Sequence, residues 1–331
     1  MAYNSINKSR FYIDNITWLR SLGIGSVGGG DPDIFGFNVA NPSVLQIANP
    51  PDSPVPALHI NYDYETDLIP MSYNFCAILG HNFKTTDAEW GSLAFYTRVD
   101  GGTSEVISDL TGSSHTEIAN QNFEYDGYSI IEFADTLSAP HNSVFFGVYT
   151  YSGNPITIGR FLAGKIYEMP HSADLSLSLE YSTGTKTIET KGGASLSNTI
   201  WRPPLWGDLA AWELNDPANP TLGQTLAHSS RRIWNLKFSF ISKENMFAKY
   251  DALNTLAEDP NATDPDQYTL TGSDDFFSRV WNVVGNHSKF IFQPDKDVAD
   301  FAIPKFDMRG IKFTQVAHTI WSFSVKIREV W

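Results

Sequence analysis

Three stretches of this chain alternate apolar and polar residues with a period of two, which restricts them to half-buried β-strands. In residues 173–181, Leu175, Leu177, Leu179 and Tyr181 share one face, and Asp174, Ser176, Ser178 and Glu180 the other. Trp234, Leu236, Phe238 and Phe240 alternate with Asn235, Lys237 and Ser239. Trp321, Phe323, Val325 and Ile327 alternate with Ser322, Ser324, Lys326 and Arg328. These strands predict a β-rich domain over residues 168–331. Two helices are predicted between them, near 243–258 and 274–284. Ser242 or Asn245 can cap the first and Pro260 ends it; Gly285 stops the second.

Residues 56–167 read as short strands between polar turns. Phe75-Cys76-Ala77-Ile78-Leu79 is an unbroken apolar run, as a strand covered on both faces would be. Leu93–Val99, Tyr128–Phe133 and Ser143–Tyr149 follow. Their spacing, without an amphipathic helix, predicts an antiparallel β-sandwich. Residues 1–55 are punctuated by Gly23, Gly25, Gly28, Gly29, Gly30, Pro32, Pro42, Pro50, Pro51 and Pro54, and read as an extended arm. The fold class expected is mainly β: an arm over 1–55, a sandwich over 56–167 and a second β-domain carrying two inserted helices. Charge supports the division. Residues 1–170 hold 7 basic and 18 acidic side chains, a net of −11, whereas 171–331 hold 16 and 19.

Composition narrows the function classes. With 23 Lys+Arg against 37 Asp+Glu, the net charge is −14, and the basic footprint of a nucleic-acid binder is missing. The same balance disfavours docking on an anionic membrane. No stretch approaches the roughly 18 apolar residues of a membrane span. Cys76 is the single cysteine, so neither an intrachain disulfide nor a cysteine-based zinc site can form. Met1–Arg10 lacks the apolar core of a signal peptide.

No catalytic motif stands out, and no enzyme activity is expected. Gly23-Ile24-Gly25-Ser26-Val27-Gly28 fits the spacing of a dinucleotide-binding loop. However, Gly29-Gly30-Asp31-Pro32-Asp33 follows where a helix should open, so no cofactor is expected. The eight histidines are scattered, none at metal-ligand spacing to another. Acidic neighbours occur at Asp31/Asp33, Asp63/Glu65/Asp67, Glu124/Asp126 and Asp264/Asp266. Solvated loop charge explains them most simply; a calcium site at a sandwich loop is the alternative. A glycosidase would need two carboxylates across a cleft, which sequence neighbours cannot show.

The stretch Trp201-Arg202-Pro203-Pro204-Leu205-Trp206 is costly to expose unless something covers it. Trp and Arg are enriched at interfaces, so Trp201, Arg202, Pro203, Pro204 and Trp206 are the candidate subunit-interface residues. Burial in the chain's own core, or a sugar site, are the other readings.

Phe75–Phe83 with Leu93–Tyr96 resembles the jelly-roll module of certain tailed-phage virion proteins. Ile158–Lys165 resembles the Gly-Arg strand that leads such proteins into a second domain. Lys191-Gly192-Gly193, Arg231–Phe238 and the closing Ile327–Trp331 fit the same pattern. The resemblance spans residues 70–331. It implies a jelly-roll-like sandwich and a structural tail or baseplate component, made in the host cytoplasm and resident in the virion. It would form a ring of its own copies that links the tail tube to the adsorption apparatus, beside other virion proteins. It implies no catalytic residues, and a structural role for His81 and Asn82. The alternatives are a carbohydrate-binding adsorption module, and a capsid decoration or head-tail connector protein.

Overall fold

The computed structural model describes residues 7–23, 25–29, 32–35, 43–45, 58–63, 73–81, 90–98, 105–109, 116–117, 127–132, 143–150, 156–174, 178–182, 186–198, 231–247, 275–298 and 300–330. The chain is mainly β, built from antiparallel sheets, with few helices among the described residues. It divides into two compact units. One takes Phe11–Tyr167 and Glu244–Val284; the other takes Met1–Arg10, Glu168–Lys243 and Gly285–Trp331.

The unit built on Phe11–Tyr167 contains β1 (Arg10–Asp14), β2 (Ser26–Gly29), β3 (Ser43–Leu45), β4 (Leu58–Asp63), β5 (Phe75–His81), β6 (Trp90–Arg98), β7 (Glu105–Asp109), β8 (Thr116–Glu117), β9 (Gly127–Glu132), β10 (Ser143–Thr150), β11 (Ile156–Ile158) and β12 (Arg160–Glu168). One sheet runs β1-β12-β5-β9-β8, a second runs β2-β4-β10-β6-β7, and β3 pairs with β11. In the first sheet β5 pairs antiparallel with both neighbours, Phe161 opposite Ile78 and Ile131 opposite Cys76. Every residue from Phe75 to Leu79 is buried, so the strand is covered on both faces, as its unbroken apolar run requires.

Residues 1–55, expected as an extended arm, instead hold a strand and a helix in their described part. Helix α1 spans Asn15–Ser21 directly after β1. Phe11, Tyr12, Ile13, Ile16 and Leu19 are all buried. The reason is local: residues 10–21 contain neither Gly nor Pro, and the punctuation begins only at Gly23. Asp14 caps the helix by accepting from the Ile16 amide at 3.1 Å and from the Thr17 hydroxyl. Gly23, at φ +72°, closes it by donating to the Arg20 carbonyl.

The other unit contains β13 (Ser178–Ser182), β14 (Lys186–Glu189), β15 (Ser195–Asn198), β16 (Arg231–Ser242), β17 (Ile291–Gln293), β18 (Pro304–Phe306), β19 (Phe313–Ala317) and β20 (Ile320–Glu329). A five-stranded sheet runs β13-β16-β20-β18, with β19 also on β20, and among the described residues β14 and β15 pair only with each other. Trp234, Leu236, Phe238, Phe323, Val325 and Ile327 fill one face, as their alternation predicts. Phe238 stacks on Phe323 at 5.3 Å, and Phe313 lies 5.6 Å from Phe323, an aromatic row across three strands. The predicted helices are described only in part: Lys243–Met246 is α-helical, Phe277–Trp281 is a π-helical turn, and Asn282–Val284 continues it to Gly285 at φ +58°.

Candidate interaction surfaces

Burial isolates the features that could meet a partner. Among the described residues, the exposed large apolar side chains are Leu22, Ile188, Leu196, Phe240 and Val316. Four of these lie in two places, both within the unit that carries β13–β20.

The first place is the β14–β15 ribbon. Its turn is Thr190-Lys191-Gly192-Gly193-Ala194. The Gly193 amide donates to the Thr190 carbonyl at 2.9 Å, and the Thr190 amide donates to the Ala194 carbonyl at 2.9 Å. Gly193 takes φ +78°, the left-handed position of a three-residue hairpin loop that glycine fills without strain. The Ala194 amide adds a bond to the Thr190 hydroxyl. This turn sets the register, which places Ile188 directly opposite Leu196. Their exposures are 67% and 60%. A lone two-stranded ribbon is marginal in water, so two apolar side chains stacked in solvent on one are unusual.

The second place is the end of the five-stranded sheet. β16 and β20 lose register between Phe238 and Ile241, and β19 and β20 lose it between Gln315 and Ala317. Phe240 and Val316 sit at these bulges, on two of the three strands that pair with β20. Phe240 is 76% exposed at φ +61°. For a bulky residue that conformation is a true outlier, with a cost of about 1–2 kcal/mol. Asp174 holds the distortion. Its carboxylate accepts from the Ser239 amide at 3.2 Å and the Ser239 hydroxyl at 2.7 Å. Its amide donates to the Lys237 carbonyl at 2.8 Å. The sequence alternation placed Phe240 with the core; the bulge turns it outward, because one inserted residue inverts the pleat.

Two buried arginines are structural rather than poised for a ligand. Arg160 donates to the Asp14 carboxylate at 3.1 Å and to the Thr17 hydroxyl at 3.1 Å, which ties β12 to the start of α1. Burial holds this guanidinium below its ordinary range, with Asp14 opposing. Arg232 donates to both oxygens of Glu329, to Asp300 at 2.7 Å and to the Phe301 carbonyl at 2.8 Å. It also lies 4.9 Å from the Trp234 ring. Burial alone would lower Arg232, yet two carboxylates outweigh it and hold the charge above its ordinary range.

Trp201, Arg202, Pro203, Pro204 and Trp206 lie outside the described residues. So do Asp31, Glu65, Asp67, Glu124, Asp126, Asp264 and Asp266, on which a calcium site would draw. Among the described residues there is no group of three or more His, Cys, Asp or Glu that could hold a metal ion. The glycine pattern begins at the end of helix α1 and runs into strand β2, the reverse of the strand-then-helix order that a dinucleotide loop needs. Cys76 is buried, and burial pushes its thiol well above its ordinary value. Sequence reasoning missed the ribbon, although Lys191-Gly192-Gly193 between Thr- and Ser-rich segments is a hairpin signal. It had no signal for the Phe240 bulge.

No family model matches the chain, and no curated protein matches it. Among solved structures the chain is similar to CBM32-1 from a family 31 glycoside hydrolase of Clostridium perfringens. The match has 13% identity and a TM-score of 0.28, covering 42% of this chain and 89% of that one. A likeness of that size assigns neither a fold family nor a ligand.

Proposed function

We propose that this chain is a self-assembling structural protein of a tailed-phage virion. Its place is in the tail or baseplate, as a ring of like copies that links the tail tube to the adsorption apparatus. The observation that carries the self-assembly is the Ile188–Leu196 pair, held in solvent on a ribbon that joins no other sheet among the described residues. The exposed Phe240 supports it, since a strained aromatic held out by a dedicated Asp174 clamp serves contact better than it serves the chain's own stability. The virion setting rests on the resemblance of residues 70–331. The reading assigns no catalytic residues and no cofactor.

Negative-stain images of the purified full chain test the proposal, with a glycan array run with and without calcium beside them. Closed rings without glycan signal are expected. Dispersed single copies that bind glycan would replace this reading with a carbohydrate-binding adsorption module.

A further inference from the structure

We infer that the end of strand β16 is a two-register switch, latched by Asp174, that either presents Phe240 to solvent or stores it on the core face of the sheet. The device lies within one copy of the chain and does not depend on the self-assembly reading.

The pairing shows how small the step is. Phe238 lies opposite Phe323, and the next pair is Ile241 opposite Trp321. β16 therefore uses three residues where β20 uses two. Without the extra residue the ladder would run on as Ser239 opposite Ser322, Phe240 opposite Trp321 and Ile241 opposite Ile320. That straight register is the one encoded by the alternation of Trp234, Leu236, Phe238 and Phe240. In it Phe240 takes the inward place that the buried Ile241 fills now, and Ile241 turns outward. One large apolar side chain replaces another, so the burial terms nearly cancel. The exchange also relieves the left-handed backbone of Phe240 at φ +61°. The extra residue passes to the junction of β16 with the helix at Lys243–Met246. There the Lys243 amide donates to the Thr319 carbonyl at 2.9 Å, a bond the Ser242 amide can take over. The other side of β20 does not pin its start, because β19 also loses register there, between Gln315 and Ala317.

The Asp174 carboxylate tips this balance. It accepts from the Ser239 amide at 3.2 Å and the Ser239 hydroxyl at 2.7 Å. Both bonds are made at the break in the ladder, so they favour the bulged register. Lys237 faces the same carboxylate at 3.8 Å. The Asp174 amide is anchored separately, on the Lys237 carbonyl ahead of the break, so losing the carboxylate spares that anchor.

The test places 4-fluorophenylalanine at position 240 of the full chain and follows it by fluorine NMR with a soluble paramagnetic agent. The wild-type chain should give one resonance that the agent broadens. Asp174→Ala should add a second resonance that the agent does not reach. The ratio of the two registers should shift by at least about tenfold for each carboxylate bond lost. Ile241→Thr, a milder change, should shift the ratio the same way, because residue 241 is buried only in the bulged register. It keeps the test open where Asp174→Ala fails to fold. A folded variant of either kind whose only resonance stays open to the agent would overturn the switch.

Discussion

Gly164 lies against the carbonyl of Ile13 so closely that a methyl group on it would overlap the Ile13 oxygen and come within 3.0 Å of the Asn15 amide. β1 and β12 therefore approach each other through a glycine, and the start of α1 is fixed by that approach.

Gly164→Ala should destabilise the fold by about 3 kcal/mol or more, because the atoms in the way are backbone and cannot rotate aside. Chemical denaturation of the variant beside the wild type measures it. A loss well below ~1 kcal/mol would show that β1 shifts freely.

Glu329→Ala should cost about 3–5 kcal/mol, since it leaves Arg232 buried with only Asp300 and the Phe301 carbonyl. Asp300→Ala should cost less than Glu329→Ala, because Glu329 makes the two-oxygen contact and also accepts from the Arg232 amide. Urea midpoints of the two variants rank them, and the reverse order would contradict the assignment.

Cys76 gives a pH signature. Its thiol stays protonated in the folded chain, well above the ordinary value of 9.0 at which it ionises once unfolded. Above that pH the unfolded state binds fewer protons, so stability falls as pH rises, by about 1.4 kcal/mol per pH unit from this group. Cys76→Ala should remove that part of the slope. Denaturation of both proteins from about pH 8 to about pH 10 should show the curves diverging; parallel curves would contradict a protonated, buried thiol.

Phe240→Gly should raise stability by about 0.5–1 kcal/mol, since glycine takes φ +61° without strain and the lost ring was in solvent. Phe240→Ala keeps the strain and should gain nothing. Thermal melts compare the two, and equal melting points would show that the bulge carries no strain.

The sheets were legible where period and pleat stay in phase. β20 follows its alternation from Phe323 to Ile327, and β16 does so as far as Phe238. Legibility ended at Phe240, because a bulge sustained by Asp174, 65–66 residues upstream in sequence, leaves no local trace. The Phe75–Leu79 run could be read as a buried strand, but nothing local revealed that Phe11–Ile13 belong to the same unit. Deleting residues 2–50 removes β1 and α1 from that core, so it would disturb folding itself and not merely assembly. Arg160 was legible only within a Gly-Arg strand; its partner Asp14 lies 146 residues away and is fixed by strand order. Of the candidate interface, Lys191-Gly192-Gly193 carries a local hairpin signal. The exposure of Ile188 and Leu196 has none, since the same alternation would also serve a buried ribbon.

The mass of the purified full chain in solution, by light scattering over a concentration series, tests self-assembly most directly. A defined multiple of the 36.9 kDa chain is expected, giving way to smaller species in Ile188→Ser with Leu196→Ser. A mass of one chain at every concentration would contradict it.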